Sequence, residues 1–277
     1  MPLRATRSGP CRTRPSGSPR RSATRGSRTC ARSSRRADVE RAYAAVHIEE
    51  DRHHWYFRGR LAVLLTALER TLPAAPSRVL ELGCGTGNVL QALGRFGEAV
   101  GVERDPELRA VGAAAGLDIR AGSLPDDLPL PDGWADAVLL LDVIEHLDDD
   151  VAGLRAARDA ARPGGIVMVT VPAYAWLWSG HDVALGHRRR YTARGLRTVI
   201  EAAGLRVERL SYFNAVLFPA IAGGRLAKRV LGRTSHDLHR PAPFVNEMLT
   251  RLFALERHVA LRPGLPFGSS ILAVARR

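Results

Sequence analysis

The segment Arg78-Val-Leu-Glu81-Leu-Gly83-Cys84-Gly85-Thr-Gly87 constrains the chain more than any other. Its first five residues form a short apolar run of strand character, its glycines permit a tight turn, and a helical stretch follows Gly87. A strand that passes into a helix through a glycine turn opens a parallel α/β sheet, where the backbone approaches a ligand closely and the helix start presents amides. Glu103 follows Gly83 by 20 residues, at the end of a second apolar run over 99–102. A carboxylate so placed can accept both hydroxyls of a ribose, and a nucleoside cofactor is implied. A dinucleotide fingerprint would set its third glycine one position later, leaving the helix end to a pyrophosphate. Here Glu81 precedes Gly83 by two positions, an acid that repels a pyrophosphate and suits a cationic amino group.

Strand and helix patterns alternate through the rest of the chain. Helices are predicted over 38–50 and 54–72, the second with Leu61, Leu64, Leu65 and Leu68 at spacings of three and four, ended by Pro73 and Pro76. Further strands are predicted over 136–141, 165–171, 206–212 and 269–275. A helix begins near Pro106; another shows one face of Leu147, Val151, Leu154, Ala157 and Ala161, stopped by Pro163 and Gly164. A third is predicted over 193–203, with Thr192 as its N-cap. Apolar helical segments over 213–265 interrupt the last two strands, and no apolar run reaches bilayer-spanning length.

The formal charge of +13 suggests a nucleic-acid binder until it is located. Eleven of the 41 basic groups lie in residues 1–36, which hold no acid, so 30 remain against 28 acidic groups in the other 241 residues. The Arg-, Ser- and Pro-rich segment 1–36 lacks apolar material for a core, is predicted to be disordered, and reads as a non-functional extension, as an arm for nucleic acid or an anionic surface, or as a targeting segment. A specific nucleic-acid partner is not expected. Cys11 and Cys30 lie in that segment and Cys84 in the glycine loop, without metal-ligand spacing, which favours a reducing, cytoplasmic setting.

The loop from Glu81 to Gly87 resembles the first motif of class I S-adenosylmethionine-dependent methyltransferases, and the wider chain resembles a bacterial branch of the methyltransferase 11/23 group. Asp136-Ala-Val-Leu-Leu-Leu-Asp142-Val-Ile-Glu145-His146-Leu is similar to the family's fourth-strand motif, and Ala161-Arg-Pro-Gly-Gly to the turn before its fifth strand. The lead-in from Glu50 to Arg60 and the segment Trp178 to Tyr191 share the likeness. The resemblance implies a Rossmann-like, doubly wound α/β sheet of seven strands, mostly parallel with the last antiparallel. It also implies a helical cap over 37–72 and a methyltransferase domain over 73–277, with the helical insertion at about 213–265. S-Adenosylmethionine is the implied cofactor, held by Glu81, Gly83, Cys84, Gly85, Gly87, Glu103, Leu141 and Asp142. Ser123 and Leu124 stand where many relatives place an aspartate for the adenine amino group, so Ser123 or backbone is expected to make that contact. The methyl group would pass to an O, N or C atom of a small or lipid-like acceptor. Leu141-Asp142-Val-Ile lacks the motif that grips a flipped-out base.

Methyl transfer needs an acceptor lone pair held in line, and a hydroxyl or amine gains from a base. His146, His181 and His187 are candidates, with Asp182 able to orient His187 across the turn at Gly186. Asp142, Glu145 and His146 read as a helix cap, with Glu145 reaching back, or as a divalent-metal set. Segment 174–191 reads as a substrate lid using Trp178, Arg189, Arg190 and Tyr191, or as a solvated arginine run before a helix. His53 and His54, beside three aromatics, are expected to pack the cap over the cofactor. Segment 212–229 reads as a membrane-interface contact, a wall for an apolar substrate, or an ordinary buried helix. The rivals to an enzyme of this kind are a non-catalytic module that binds S-adenosylmethionine or nucleic acid, and a nicotinamide oxidoreductase.

Overall fold

The computed structural model describes residues 50, 52–73, 76–230, 241–261 and 263–277, with side chains at 228–230 left aside. The expected tail over 1–36 and helix over 38–50 lie outside the described residues, the helix's last position excepted.

Seven strands form one sheet: β1 (Ser77–Leu82), β2 (Gly97–Glu103), β3 (Ile119–Ala121), β4 (Ala135–Leu141), β5 (Ala161–Pro172), β6 (Arg206–Phe213) and β7 (Ser270–Arg276). Their order is β3-β2-β1-β4-β5-β7-β6, parallel except for β7, which runs antiparallel to both neighbours. The central strands read as near-continuous apolar runs because both faces are covered. Alternate residues serve alternate faces. Leu80, Leu140 and Val169 pack with Leu154 and Ala157 of α4 (Asp150–Ala160) and Leu196 and Ile200 of α6 (Ala193–Ala202). Val79, Leu139 and Met168 pack on the other face against Val63, Leu64 and Leu68 of α1 (Trp55–Glu69) and Leu90 and Leu93 of α2 (Asn88–Leu93).

Local caps follow the sequence. Asp105 accepts from the amides of Glu107 and Leu108 at the start of α3 (Pro106–Ala114), and Thr192 from Gly195 at the start of α6. Two expectations need correction. The helix expected from Leu147 begins only at Asp150, capped by Asp149, and passes directly into β5 at Ala161 instead of reaching Pro163. Strand β3 escaped the sequence patterns because it has three residues and an incompletely buried surface.

The insertion before β7 contributes α7 (Phe218–Val230) and α8 (Pro243–Ala254). Helix α8 packs beside α1 although some 190 positions separate them in sequence. Asn246 accepts from the Trp55 amide at 2.9 Å and donates to the His53 carbonyl at 2.9 Å. Phe253 is fully buried against Trp55, Tyr56 and Phe213, and a Cβ on Gly59 would come within 2.5 Å of its ring. This contact sets the first turn of α1 over the carboxyl ends of the parallel strands, the side on which open α/β sheets bind ligands. Among the described residues, no helix is long and apolar enough to cross a membrane. Phe253→Ala is expected to lower stability by about 3–5 kcal/mol in denaturant unfolding, whereas Phe244→Ala, at a ring 80% exposed, should change it by less than about 0.5 kcal/mol.

Candidate active site

A cavity of about 650 Å³ opens where β1, β4 and β5 end and β7 begins. Glu81, Gly83, Cys84, Gly85, Leu141 and Asp142 line one side, and His54, Trp55, Tyr56, Phe57 and Arg60 of the α1 start lie over it. Glu145, His146, His181, His187 and Arg190 form a polar wall, while Asn214, Ser269 and one side of α7 complete the enclosure.

The glycine loop is built from its backbone. Gly83 has φ 73°, and a Cβ there would lie 2.8 Å from Val143. Gly85 has φ 56° with nothing within 4 Å of where a Cβ would sit, so the loop leaves open space beside the cavity. The Gly83 and Cys84 amides donate to the Val102 carbonyl at 2.8 and 3.2 Å, which ties the loop to β2. Glu103 accepts from Gly85 N at 3.0 Å and Asp105 N at 2.9 Å, one bond to each oxygen. Two backbone donors thus fix its carboxylate and leave lone pairs for hydroxyls. The Cys84 thiol is pushed well up by burial, then by Glu81 and Glu103, and is no nucleophile.

Asp142 ends β4 at φ 59°. Its carboxylate pairs with Arg60 Nη2 at 2.8 Å and accepts from Thr170 Oγ1 at 3.2 Å, while Thr170 accepts from Arg60 at 2.9 Å. The turn Ile144–His146 that follows has no side-chain cap. The capping expectation is therefore corrected: the left-handed turn at Asp142 directs the carboxylate to Arg60, and Glu145 is fully buried with no hydrogen-bond partner on either carboxylate oxygen. Burial, then Asp142, pushes the Glu145 carboxyl well up. His146 is pushed down to about 4, by burial first and by His187 second. Glu145, His146 and His187 offer ligand atoms all within 4.8 Å of one another, so His187, not Asp142, completes the candidate metal set.

Asp182 organises the neighbouring segment. It lies in α5 (Gly180–Leu185), fully buried, and accepts from Ser179 N at 2.8 Å, Arg190 Nε at 2.7 Å and Arg190 Nη2 at 3.0 Å. Its Oδ1 is also 2.8 Å from His187 Nδ1. Gly186, at φ 71°, reverses the chain so that His187 N donates to the Asp182 carbonyl at 2.9 Å. Burial alone would raise the Asp182 carboxyl, but His187 and Arg190 hold it far below the usual range. An ionised carboxylate only accepts, so Nδ1 carries the hydrogen and a neutral His187 has its lone pair on Nε2. His187 lines the cavity, with its ring centre 4.8 Å from that of His146 and 6.1 Å from that of His181.

Residues 52–210 match the family of the methyltransferase domain. The chain belongs to that family. It carries that domain on the fold of class I S-adenosylmethionine-dependent methyltransferases. It is 36% identical over 135 residues to a probable S-adenosylmethionine-dependent methyltransferase of Mycolicibacterium smegmatis, covering 47% of this chain and 52% of that one. A ubiquinone biosynthesis O-methyltransferase of Xanthomonas oryzae is 34% identical over 110 residues, covering 37% and 46%. The chain spans about half the length of the curated relatives it matches. In fold it is similar to a putative sarcosine dimethylglycine methyltransferase from Galdieria sulphuraria, with TM-score 0.56 and 18% identity over 86% of this chain and 98% of that one.

The cavity gathers Glu81, Gly83, Cys84, Gly85, Leu141, Asp142, Glu145, His146, His181, His187 and Arg190. Gly87, Glu103, Ser123 and Leu124 are not in its lining; Ser123 is exposed and pairs with the Asp127 backbone. The substrate-contact expectation for the lid needs correction. Trp178 is exposed outside the cavity, and Tyr191 is buried with its hydroxyl donating to Asp150 at 2.7 Å. Arg189 donates to the carbonyls of Leu147 and Asp148 and pairs with Asp150 at 3.0 Å; Arg190 is taken by Asp182 and the Ala173 carbonyl. These bonds fasten the segment; Arg189 is outside the cavity lining, whereas Arg190 is part of it. Arg60 of α1, Arg225 of α7 and Asn214, just past β6 at φ 56°, line the cavity from segments whose pattern signals only helix or strand. Asp182→Asn is expected to cost about 3–5 kcal/mol in denaturant unfolding, because the Arg190 side chain is 3% exposed and would be left uncompensated. With its folded pKa depressed, the contribution of Asp182 is complete above the ordinary carboxylate range and declines as pH falls below about 5, a loss the Asn variant should not show.

Proposed function

We propose that the chain transfers a methyl group from S-adenosylmethionine to an oxygen or nitrogen atom of a small or lipid-like acceptor, with His187 as the base. One observation carries this reading: a single cavity joins the glycine loop to an imidazole whose Nδ1 is held by a buried carboxylate. The loop fits the cofactor, with open space at Gly85, Glu81 in the lining for an ammonium group, and Glu103 fixed for ribose hydroxyls. When bound, the cofactor supplies an electrophilic methyl carbon. The chain's residues do the rest. Asp182 fixes the His187 tautomer, His187 Nε2 takes the acceptor proton, and the α1 aromatics keep water from the reacting atoms. The O-methyltransferase named for ubiquinone biosynthesis among the relatives favours an oxygen acceptor with an apolar body, and segment 212–229 is where such an acceptor would arrive from a membrane.

A second reading has its own observation. The buried, unpartnered Glu145 carboxyl beside His146 and His187 is a donor set suited to a divalent cation, which would hold and acidify an acceptor hydroxyl.

Calorimetry is expected to show S-adenosylhomocysteine binding more tightly than NAD, with Glu103→Ala weakening it by about 1–3 kcal/mol. The reverse preference would remove the cofactor assignment. With labelled methyl donor and fractionated cell extract, His187→Ala should lower turnover by about 10²-fold or more, while donor affinity stays within about twofold. Turnover abolished by a chelator and restored by a divalent cation would favour the second reading; turnover indifferent to the chelator favours the first.

A further inference from the structure

Helix α7 has two sides with different surroundings. Ala220, Ile221, Gly224 and Arg225 line the cavity. Pro219 and Leu226, seven positions apart and hence on one helix face, are exposed, Leu226 at 61%. Where α7 begins, Trp176, Phe218 and Phe267 come together from three segments, with ring centres 6.0 Å apart for Trp176 and Phe218 and 5.9 Å for Phe218 and Phe267. Trp176 is 54% exposed, and Phe267 and Val216, the latter lying two positions before Phe218, are exposed as well. Large apolar side chains gathered at a surface mark an interaction site more often than scattered ones do.

Charge selects the occupant. The described segments around the patch, 173–181, 209–230 and 263–277, hold no aspartate or glutamate, and 209–230 alone carries Arg209, Arg225, Lys228 and Arg229 in its sequence. A second copy would bring the same cationic surface against this one, and segment 1–36, with eleven arginines and no acid, would be repelled. An anionic bilayer satisfies both features, with phosphate headgroups for the cations and an acyl boundary for the rings. We propose that the patch of Trp176, Val216, Phe218, Leu226 and Phe267 docks on an anionic membrane surface and sets α7 at the lipid boundary. Docking rests on surface chemistry alone; its use, delivery of a lipid-like acceptor past α7 into the cavity, rests on the methyltransferase reading above.

The test uses the full chain and large unilamellar vesicles of phosphatidylcholine with or without phosphatidylglycerol. Segment 1–36 will also adhere to anionic vesicles by charge, so flotation is read near physiological salt as the difference between wild type and patch variants that all carry that segment. Wild-type protein should float with phosphatidylglycerol vesicles, and its tryptophan emission should shift to the blue. Trp176→Phe should float but lose most of the shift, and Trp176→Ser/Phe267→Ser should bind about tenfold or more weakly. Both positions are exposed, so the double variant should keep the wild-type melting temperature and S-adenosylhomocysteine affinity. Equal flotation of wild type and double variant would overturn the proposal, as would an emission shift that survives Trp176→Phe. A change from dimer to monomer in the double variant would assign the patch to a second copy, and patch-dependent binding to polyglutamate without vesicle binding would assign it to an acidic protein. Absence of S-adenosylhomocysteine binding with docking intact would remove the methyltransferase reading and leave the docking surface standing.

Discussion

The site depends on one buried carboxylate. Asp182 is cut off from water, and three groups replace its hydration: the Ser179 amide, the Arg190 guanidinium and the His187 ring. Such a cluster is stable only while each member is present, since a buried charge that loses its partner costs several kcal/mol. The same residues connect three parts of the fold. Arg190 also holds the carbonyl of Ala173 beyond β5, Arg188 N donates to the Glu145 carbonyl, and Arg188 Nε donates to the His146 carbonyl. The position of His187 over the strand ends is thereby set by strong polar bonds to rigid elements, although the residue itself sits in a loop.

A second buried pair fixes the opposite wall. Arg60, from the helix that covers the sheet, reaches down to Asp142 and Thr170 at the ends of β4 and β5. Tyr56, one turn earlier, places its hydroxyl 3.2 Å from Ser270 Oγ at the start of β7. Because Phe253 wedges against Gly59 from the insertion, α1 cannot tilt away without opening a cavity in the core. Packing in the insertion thus reaches the cofactor loop through α1, two elements distant in the chain from one another.

The sheet was legible in the sequence because strands buried on both faces must be apolar throughout, and the glycine loop because few residues tolerate φ values of 56° to 80°. The closeness of Asp182 and His187 was legible too, since one left-handed glycine between them reverses the chain. Arg188 to Arg190 were not. A run of three arginines looks solvated by local pattern, and the carbonyls that bind Arg188 and Arg189 belong to residues about 42 positions earlier. Asp142 misled for a related reason. Asp-x-x-Glu matches a cap in spacing, but spacing carries no record of the positive φ at Asp142 or of an arginine arriving from another helix.

Glu145 shows how the two chemical readings of the site differ physically. A carboxyl with both oxygens buried and unpartnered is rare, because each orphaned acceptor costs about 1–3 kcal/mol. Without a cation the group relieves that cost by keeping its proton, the direction in which burial and Asp142 both push it. A protonated Glu145 is then a donor on the cavity wall, and under the proposed function it would hold an acceptor oxygen while His187 took that acceptor's proton. With a cation it would be ionised and bound jointly with His146, whose ring stays neutral because burial and His187 disfavour its charge. In either state Glu145, one of several residues with a buried unpartnered oxygen among the described ones, lies on the cavity wall, where the proposed acceptor would bind.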